Sequence, residues 1–357
     1  MDVGFSDSQL ELRTAVRDVL SRESPAAVVR ESIGDPDRWR PLWKTATELG
    51  WPALAMLDSA AGMGIIELVA VLEECGATAA PLPLLSSAGL AAGALSAAGP
   101  DAQPYLDDLS GGAVGALGAT RPGGRLPEAP LRWAGDRLTG VIGPVADAAR
   151  ADLLVLLGTT DAGETAAAVV RQGPGLELRE QESVDPTRPL AEVVVDVVPE
   201  AVFPVSLPDA MGVPLVAAAA ELVGVGTRLL DIAVVHALAR EQFGKPIGSF
   251  QGLKHRLADC YVAVERARSL TYSAAMQLDD PDASPTDRWR AALLAKAGAS
   301  EAASEAARTA VQVHGAIAMT WEHDVHLYLR RAWQSAALLG ESRALYAEAA
   351  TLLLAAV

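Results

Sequence analysis

Aromatic residues are scarce in this chain. Phe, Trp and Tyr make up 4% of 357 residues, although half of all residues are hydrophobic. The apolar half is therefore mostly Ala, Leu and Val. That composition favours closely packed helices, since Ala and Leu are among the best helix formers, and it is too apolar for a disordered chain. Cysteine is nearly absent. Cys75 and Cys260 cannot frame a disulfide scaffold and suit a reducing compartment. Both lie on apolar faces without a CxxC partner, so they read as buried, inert thiols. Basic residues are in deficit, 29 against 45 acidic ones, for a net charge of −16. Nucleic acid is thus an unsuitable main partner, because phosphate neutralisation needs clustered cations. The opening residues MDVGFSDSQLELR contain neither a basic nor an apolar signal-peptide region. The uncharged stretch 75–100 is rich in small residues and carries Pro81, Pro83 and Pro100, which argues against a membrane span. A cytoplasmic protein is expected.

Three textures follow one another. Residues 1–110 read as a helical domain. Ser6 to Gln9 forms a capping box, and helices are expected over 39–49, 64–75 and 86–98. Residues 111–207 read as a small β-barrel or sandwich, with a hairpin turning at Gly135-Asp136 and buried strands over 152–157, 166–171 and 193–198. Residues 208–357 read as a four-helix bundle with helices over 215–240, 250–278, 288–313 and 325–357. The fold class is helical with an inserted β-domain.

Most familiar chemistry finds no support. There is no GxGxxG or Walker loop, and no nucleophile elbow for a hydrolase. Glu322, His323, Asp324 and His326 form the densest cluster of potential metal ligands. They read as a polar cap at the start of the last helix rather than a metal centre.

Two segments stand out. Arg240-Glu-Gln-Phe-Gly-Lys-Pro-Ile-Gly-Ser-Phe-Gln251 places Arg and an aromatic at a helix end, then a turn, then Gln at the next helix start. Gln312-Val-His-Gly315 follows, ahead of Trp321-Glu-His-Asp-Val-His-Leu-Tyr-Leu-Arg-Arg331. The R-x-x-F-G, Q and Q-x-x-G pattern, with the α-β-α order, resembles the acyl-CoA dehydrogenase family along the whole chain. The resemblance implies FAD-dependent α,β-dehydrogenation of an acyl-CoA thioester, with a Glu base taking the α-proton. It also implies that these segments hold the ADP half of a neighbouring subunit's FAD. Arg240 would meet the pyrophosphate, Gln242, Phe243 and Gln251 would line the cofactor, and Gln312 with Gly315-Ala316 would sit near ribose and pyrophosphate.

Other family positions have changed. The family's T-E-P-x-x-G-S aligns with Thr120-Arg121-Pro122-Gly123-Gly124-Arg125-Leu126. Pro144 replaces the Trp that walls the flavin, and Ala146 the hydroxyl that bonds it. The E-G-T base motif reads Leu339-Gly340-Glu341, and the alternative base position falls near Pro214. Glu341, two residues along, would point away on a continuous helix, and Glu221 reads as a solvated or interface carboxylate. Ala316 and Ala318 replace glycines and would crowd a cofactor's approach. The groups serving the chain's own flavin are degraded, and those serving a neighbour's are mostly kept. This resembles the degenerate subunit of actinobacterial α2β2 acyl-CoA dehydrogenases, several of which act in steroid side-chain breakdown. It implies no catalytic residue in this chain, FAD shared with a partner, and a homologous partner carrying the catalytic Glu. Two alternatives stand beside it: a self-sufficient homo-oligomer using Glu221 or Glu341, and a structural or interaction protein on this fold.

Overall fold

The computed structural model describes residues 5–55 and 64–355. The chain opens with α1 (Asp7–Glu23), capped by the Ser6–Gln9 box, then α2 (Ala26–Glu31), α3 (Arg40–Glu48) and α4 (Ile65–Ala77). A wide π-helical segment, Leu85–Ala92, stands where a regular helix over 86–98 was expected. It passes into the short turn α5 (Gly93–Leu95), a 3-10 segment interrupted by Gly99 at φ 70°, and α6 (Gln103–Ser110).

Eight strands form one mixed sheet: β1 (Gly115–Gly118), β2 (Leu131–Ala134), β3 (Arg137–Ala146), β4 (Leu153–Thr159), β5 (Thr165–Arg171), β6 (Leu176–Gln181), β7 (Leu190–Val197) and β8 (Ala201–Pro204). The order is β6-β7-β3-β2-β4-β5-β8, with β1 parallel to β4. The expected hairpin joins β2 to β3 through Gly135-Asp136. Strand β4 is buried on both faces. Leu153, Val155 and Leu157 join the helical core, while Leu154 and Leu156 join a second core between the strands. Period-two alternation explains how one strand serves both.

The bundle follows: α7 (Leu207–Ala239), a ribbon of β9 (Glu241–Gln242) and β10 (Lys245–Pro246), α8 (Gln251–Asp279), α9 (Pro285–His314), α10 (Val325–Ala337) and α11 (Ser342–Ala355). Helix α7 starts at the Ser206 cap with Pro208 in its first turn, earlier than the expected 215, and it continues through Pro214. It is the one described helix long and apolar enough to cross a membrane, but Leu215 through Gly226 are buried inside the protein. The last helix is broken. Leu339 (φ 61°) and Gly340 (φ 120°) turn the chain between α10 and α11, and the final two residues of the expected helix lie outside the described residues.

Helices α4 and α7 cross at backbone contact. A Cβ at Gly76 would lie 2.0 Å from the Glu221 carbonyl oxygen, and one at Gly224 would lie 1.9 Å from the Glu73 carbonyl oxygen. Only glycine permits this approach. It fixes the N-terminal helices against the bundle and sets the depth of Glu221.

Candidate functional site

The two sequence motifs meet at one end of the bundle. Helices α7 and α9 run parallel, and His236 stacks on His314 with ring centroids 4.1 Å apart. Arg240 lies one turn beyond His236, and Gly315 directly follows His314, so both motifs emerge together. His323 extends the stack, 4.6 Å from His314. The His314 Nδ1–H donates to the Ala310 carbonyl (2.8 Å), and His323 Nδ1 accepts the Val325 N–H (3.2 Å) at the start of α10. Burial lowers the pKa of His236 and of His314, and the neighbouring imidazoles add to this.

Beyond Arg240, β9 and β10 pair Gln242 with Lys245. The two-residue turn is Phe243-Gly244, with φ of 55° and 74°. Two positive φ values are the signature of a type I′ hairpin turn. A bulky residue rarely adopts positive φ, yet Phe243 does so while 92% exposed. Its ring meets Phe250 edge-on at 6.1 Å, and Lys245 Nζ lies 4.5 Å from the centre of the Phe250 ring. The Arg240 carbonyl accepts the Ile247 N–H at 2.8 Å. Gln251 opens α8, which has no side-chain cap. Gln312, Gly315 and Ala316 are exposed. Gly315 ends α9 at φ 68°, with nothing within 4 Å of where a Cβ would be. Ala318 is fully buried, so its methyl group fills the core. Of the two Gly-to-Ala differences, only Ala316 bears on this surface.

This ledge is polar, cationic and uncommitted. Among the described residues, no carboxylate pairs with Arg240, and the Gln242 amide reaches only the neighbouring Glu241 carbonyl (2.8 Å). Open guanidinium, amide and backbone groups beside an uncapped helix start suit a diphosphate. Val235, Leu238, Ile317 and Met319 are exposed around it, an apolar surround of the kind that marks an interaction surface.

The opposite half is tied together by backbone bonds. Thr120 and Gly143 bond each other through Gly143 N–H to the Thr120 carbonyl (2.8 Å). Arg121 is turned outward onto Glu128. The Arg125 carbonyl accepts the Glu341 N–H at 3.1 Å, joining the 120–126 loop to the 339–341 turn. Leu339 is buried and Ala146 is buried. Glu341 is exposed and lies 3.7 Å from Arg125. Its orientation follows from this turn, since residues 339–341 are not helical.

Glu221 is neither solvated nor at a surface. It is 1% exposed and accepts bonds from Arg188 (Nη1 at 2.6 Å, and Nη2), Arg331 Nη1 (3.3 Å) and Ser335 Oγ (3.1 Å). Burial alone would raise its pKa, but the two guanidiniums hold it well below the usual carboxylate range. Arg331 continues to Asp185 and to Thr187 Oγ1 (2.7 Å), and Gln334 closes the cluster on the Arg188 carbonyl (2.8 Å). A carboxylate so neutralised cannot act as a general base near neutral pH. No local pattern in the sequence marks this cluster, because its members lie on β7's approach, α7 and α10.

The ligand-like residues of the last turn region separate. His323 joins the imidazole stack, His326 packs on Trp321 at 4.9 Å, and Asp324 pairs with Arg30 at 2.6 Å. Asp324 holds the N-cap position of α10 without a side-chain cap bond, and His323 supplies one to the Val325 N–H instead. Among the described residues no His, Cys, Asp and Glu group could hold a metal ion. Cys75 and Cys260 are both free and buried.

Comparison with known proteins places these features in context. The family model for the acyl-CoA dehydrogenase N-terminal domain matches residues 6–108, and that for the C-terminal domain matches 213–346. The chain is 33% identical over 336 residues to acyl-CoA dehydrogenase IpdE2 of Mycobacterium tuberculosis, covering 93% of each. Acyl-CoA dehydrogenase FadE34 of the same organism is 32% identical over 93% of this chain and 45% of its own length. Among solved structures, the Tcur3481–Tcur3483 steroid ACAD matches with a TM-score of 0.89 at 25% identity, covering 98% of both chains. The ChsE4–ChsE5 complex of Mycobacterium tuberculosis matches at 0.85 and 27%, covering 99% of both chains.

Proposed function

Because this chain belongs to the acyl-CoA dehydrogenase family, we propose that it is a subunit of an FAD-dependent acyl-CoA dehydrogenase that completes its partner's FAD site in trans and lacks a catalytic base of its own. The observation that carries this reading is the contrast between the two half-sites. The ledge of Arg240, Gln242, Phe243, Gln251, Gln312, Gly315 and Ala316 is open and uncommitted. The cleft side is joined through Arg125 and Glu341, with Leu339 at the base position.

The open ledge fits the ADP half of FAD. Arg240 would bind diphosphate oxygens through its fork. Gln312 and the exposed Gly315-Ala316 backbone would meet ribose and phosphate, and Phe243 would cover the cofactor's apolar face. When bound, FAD supplies the acceptor for the β-hydride. Pro144, Ala146 and Leu126 offer neither a flat wall nor a hydroxyl to a flavin ring, so the fit is to the neighbour's cofactor and not to one of this chain's own. The partner is a homologous subunit whose Glu takes the α-proton. Two-component relatives such as ChsE4–ChsE5 support this assembly, and the steroid ACAD relative makes a steroid acyl-CoA the first substrate class to test. We take 1–110, 111–207 and 208–357 as the domain limits and the cytoplasm as the site of action.

The test is co-expression with an adjacent homologous reading frame, followed by flavin absorbance and mass of the purified complex. The expected result is a mixed complex holding less than one FAD per chain, with FAD reduced at least tenfold in affinity by Arg240→Ala. Stoichiometric FAD and turnover in the isolated chain would refute the proposal. A mixed complex whose FAD content is untouched by Arg240→Ala would point to a purely structural subunit.

A further inference from the structure

A second cleft lies on the far side of the Trp321 segment, between α10 and the 182–184 loop that leads into β7. It is a half-open groove of about 390 Å³, within the volume range of small-molecule sites. Trp321 and Trp333 present partly exposed indoles to it, and Met319, Leu329, His326 and Arg330 complete its lining. In a chain with so few aromatics, two tryptophans on one cleft are a concentrated resource.

The polar groups are arranged for a ligand. Arg330 lies 5.3 Å over the Trp321 ring, a cation–π arrangement that holds a guanidinium in place. Its Nη1 donates to the Val184 carbonyl at 3.2 Å. Among the described residues no carboxylate pairs with Arg330. His326 is 5% exposed and packs edge-on against Trp321 at 4.9 Å, with its ring nitrogens closed off from solvent. The Trp321 backbone favours its proton, but burial dominates and lowers its pKa. Glu182 and Ser183 line the same cleft, so its wall also carries one carboxylate.

We propose that this cleft binds a flat, apolar ring system carrying a single acidic group, with the rings against Trp321 and Trp333 and the acid on Arg330. Stacking on indole supplies affinity for rings of any kind, and the free guanidinium nitrogens select the anion. The site adjoins the cofactor ledge at Met319 but uses different polar groups and does not depend on the subunit assignment.

The test is calorimetric titration of the full chain with 2-naphthoate, and with 2-naphthalenemethanol as its neutral counterpart. Saturable one-to-one binding of the acid is expected. Arg330→Gln should weaken the acid about tenfold while changing the alcohol less than about twofold. Glu182→Gln should strengthen the acid, and Trp333→Ala should weaken both. Wild-type-like thermal unfolding of each variant separates these effects from misfolding. Three results overturn the proposal: no saturable binding, equal effects of Arg330→Gln on acid and alcohol, or binding that disappears when the chain is copurified with a partner. The last would make the cleft a protein–protein contact.

Discussion

Lys296 provides the sharpest test of the packing described here. It lies within α9, fully buried, with Nζ donating to Ser300 Oγ (2.8 Å) and to the Ala336 carbonyl (3.2 Å). The cluster holds no carboxylate. Ala336 is in the last turn of α10, where carbonyls lose their helical partners, so the lysine supports the helix end that turns at Leu339-Gly340. Burial lowers its pKa from 10.5 to about 7. Between those values the unfolded chain binds more protons than the folded one, so stability rises with pH across that window. At pH 7 the cost of holding the amine is about 4 kcal/mol, and about half of it is recovered by pH 9. Lys296→Met removes this cost and loses two hydrogen bonds, each worth about 1 kcal/mol net. Ser300, 3.5 Å from the same carbonyl, remains to serve it. The variant should therefore be more stable than wild type by about 2 kcal/mol at pH 7, with the advantage gone near pH 9. Urea midpoints at the two pH values, with unchanged slopes, measure this directly. An advantage that is absent, or the same at pH 7 and pH 9, would show that water reaches the amine and that the bundle is looser there than described.

Glu221→Gln should leave Arg188 a buried cation without its carboxylate, Arg331 keeping Asp185, and lower stability by about 3–5 kcal/mol, while the pH profile of turnover in a complex keeps its shape. A displaced profile in the folded variant would restore Glu221 as a base. Gly224→Ala should lower thermal stability strongly, because its methyl group meets the Glu73 carbonyl, whereas Gly252→Ala, which meets nothing within 4 Å, should be neutral or gain up to about 1 kcal/mol. Equal effects in thermal melts would contradict the α4–α7 contact. His236 and His314 have lowered pKa values, so the unfolded chain takes up protons first on acidification and stability falls as pH drops below 6.5. His314→Phe should give a shallower fall between pH 7 and pH 5, and an identical fall would exclude the stack as an acid-sensitive element.

The long helices and the hairpin at Gly135-Asp136 were legible because their signals are local: apolar periodicity, caps and turn residues. The R-x-x-F-G segment was legible for the same reason, since one tight ribbon displays it. The break at Leu339-Gly340 was missed although Gly340 signalled it, because the flanking apolar pattern continues through it. The early start of α7 was missed because Pro214 reads as a breaker. The Arg188–Glu221–Arg331–Asp185 cluster could not be read at all. Charged residues ordinarily face water, and these meet only when β7, α7 and α10 are assembled. The stacked imidazoles likewise depend on two helices ending side by side.

The glycine crossing of α4 and α7 also bears on the order of synthesis. The face of α4 that Gly76 presents has no surface to rest on until the whole sheet has been made and α7 has left the ribosome. The apolar residues of 1–110 and of the bundle form one continuous core. The N-terminal helices therefore wait without their α7 contact through the time it takes to translate the sheet. Exposed apolar surface on a nascent chain invites aggregation, and release of this segment from chaperones should coincide with the arrival of α7.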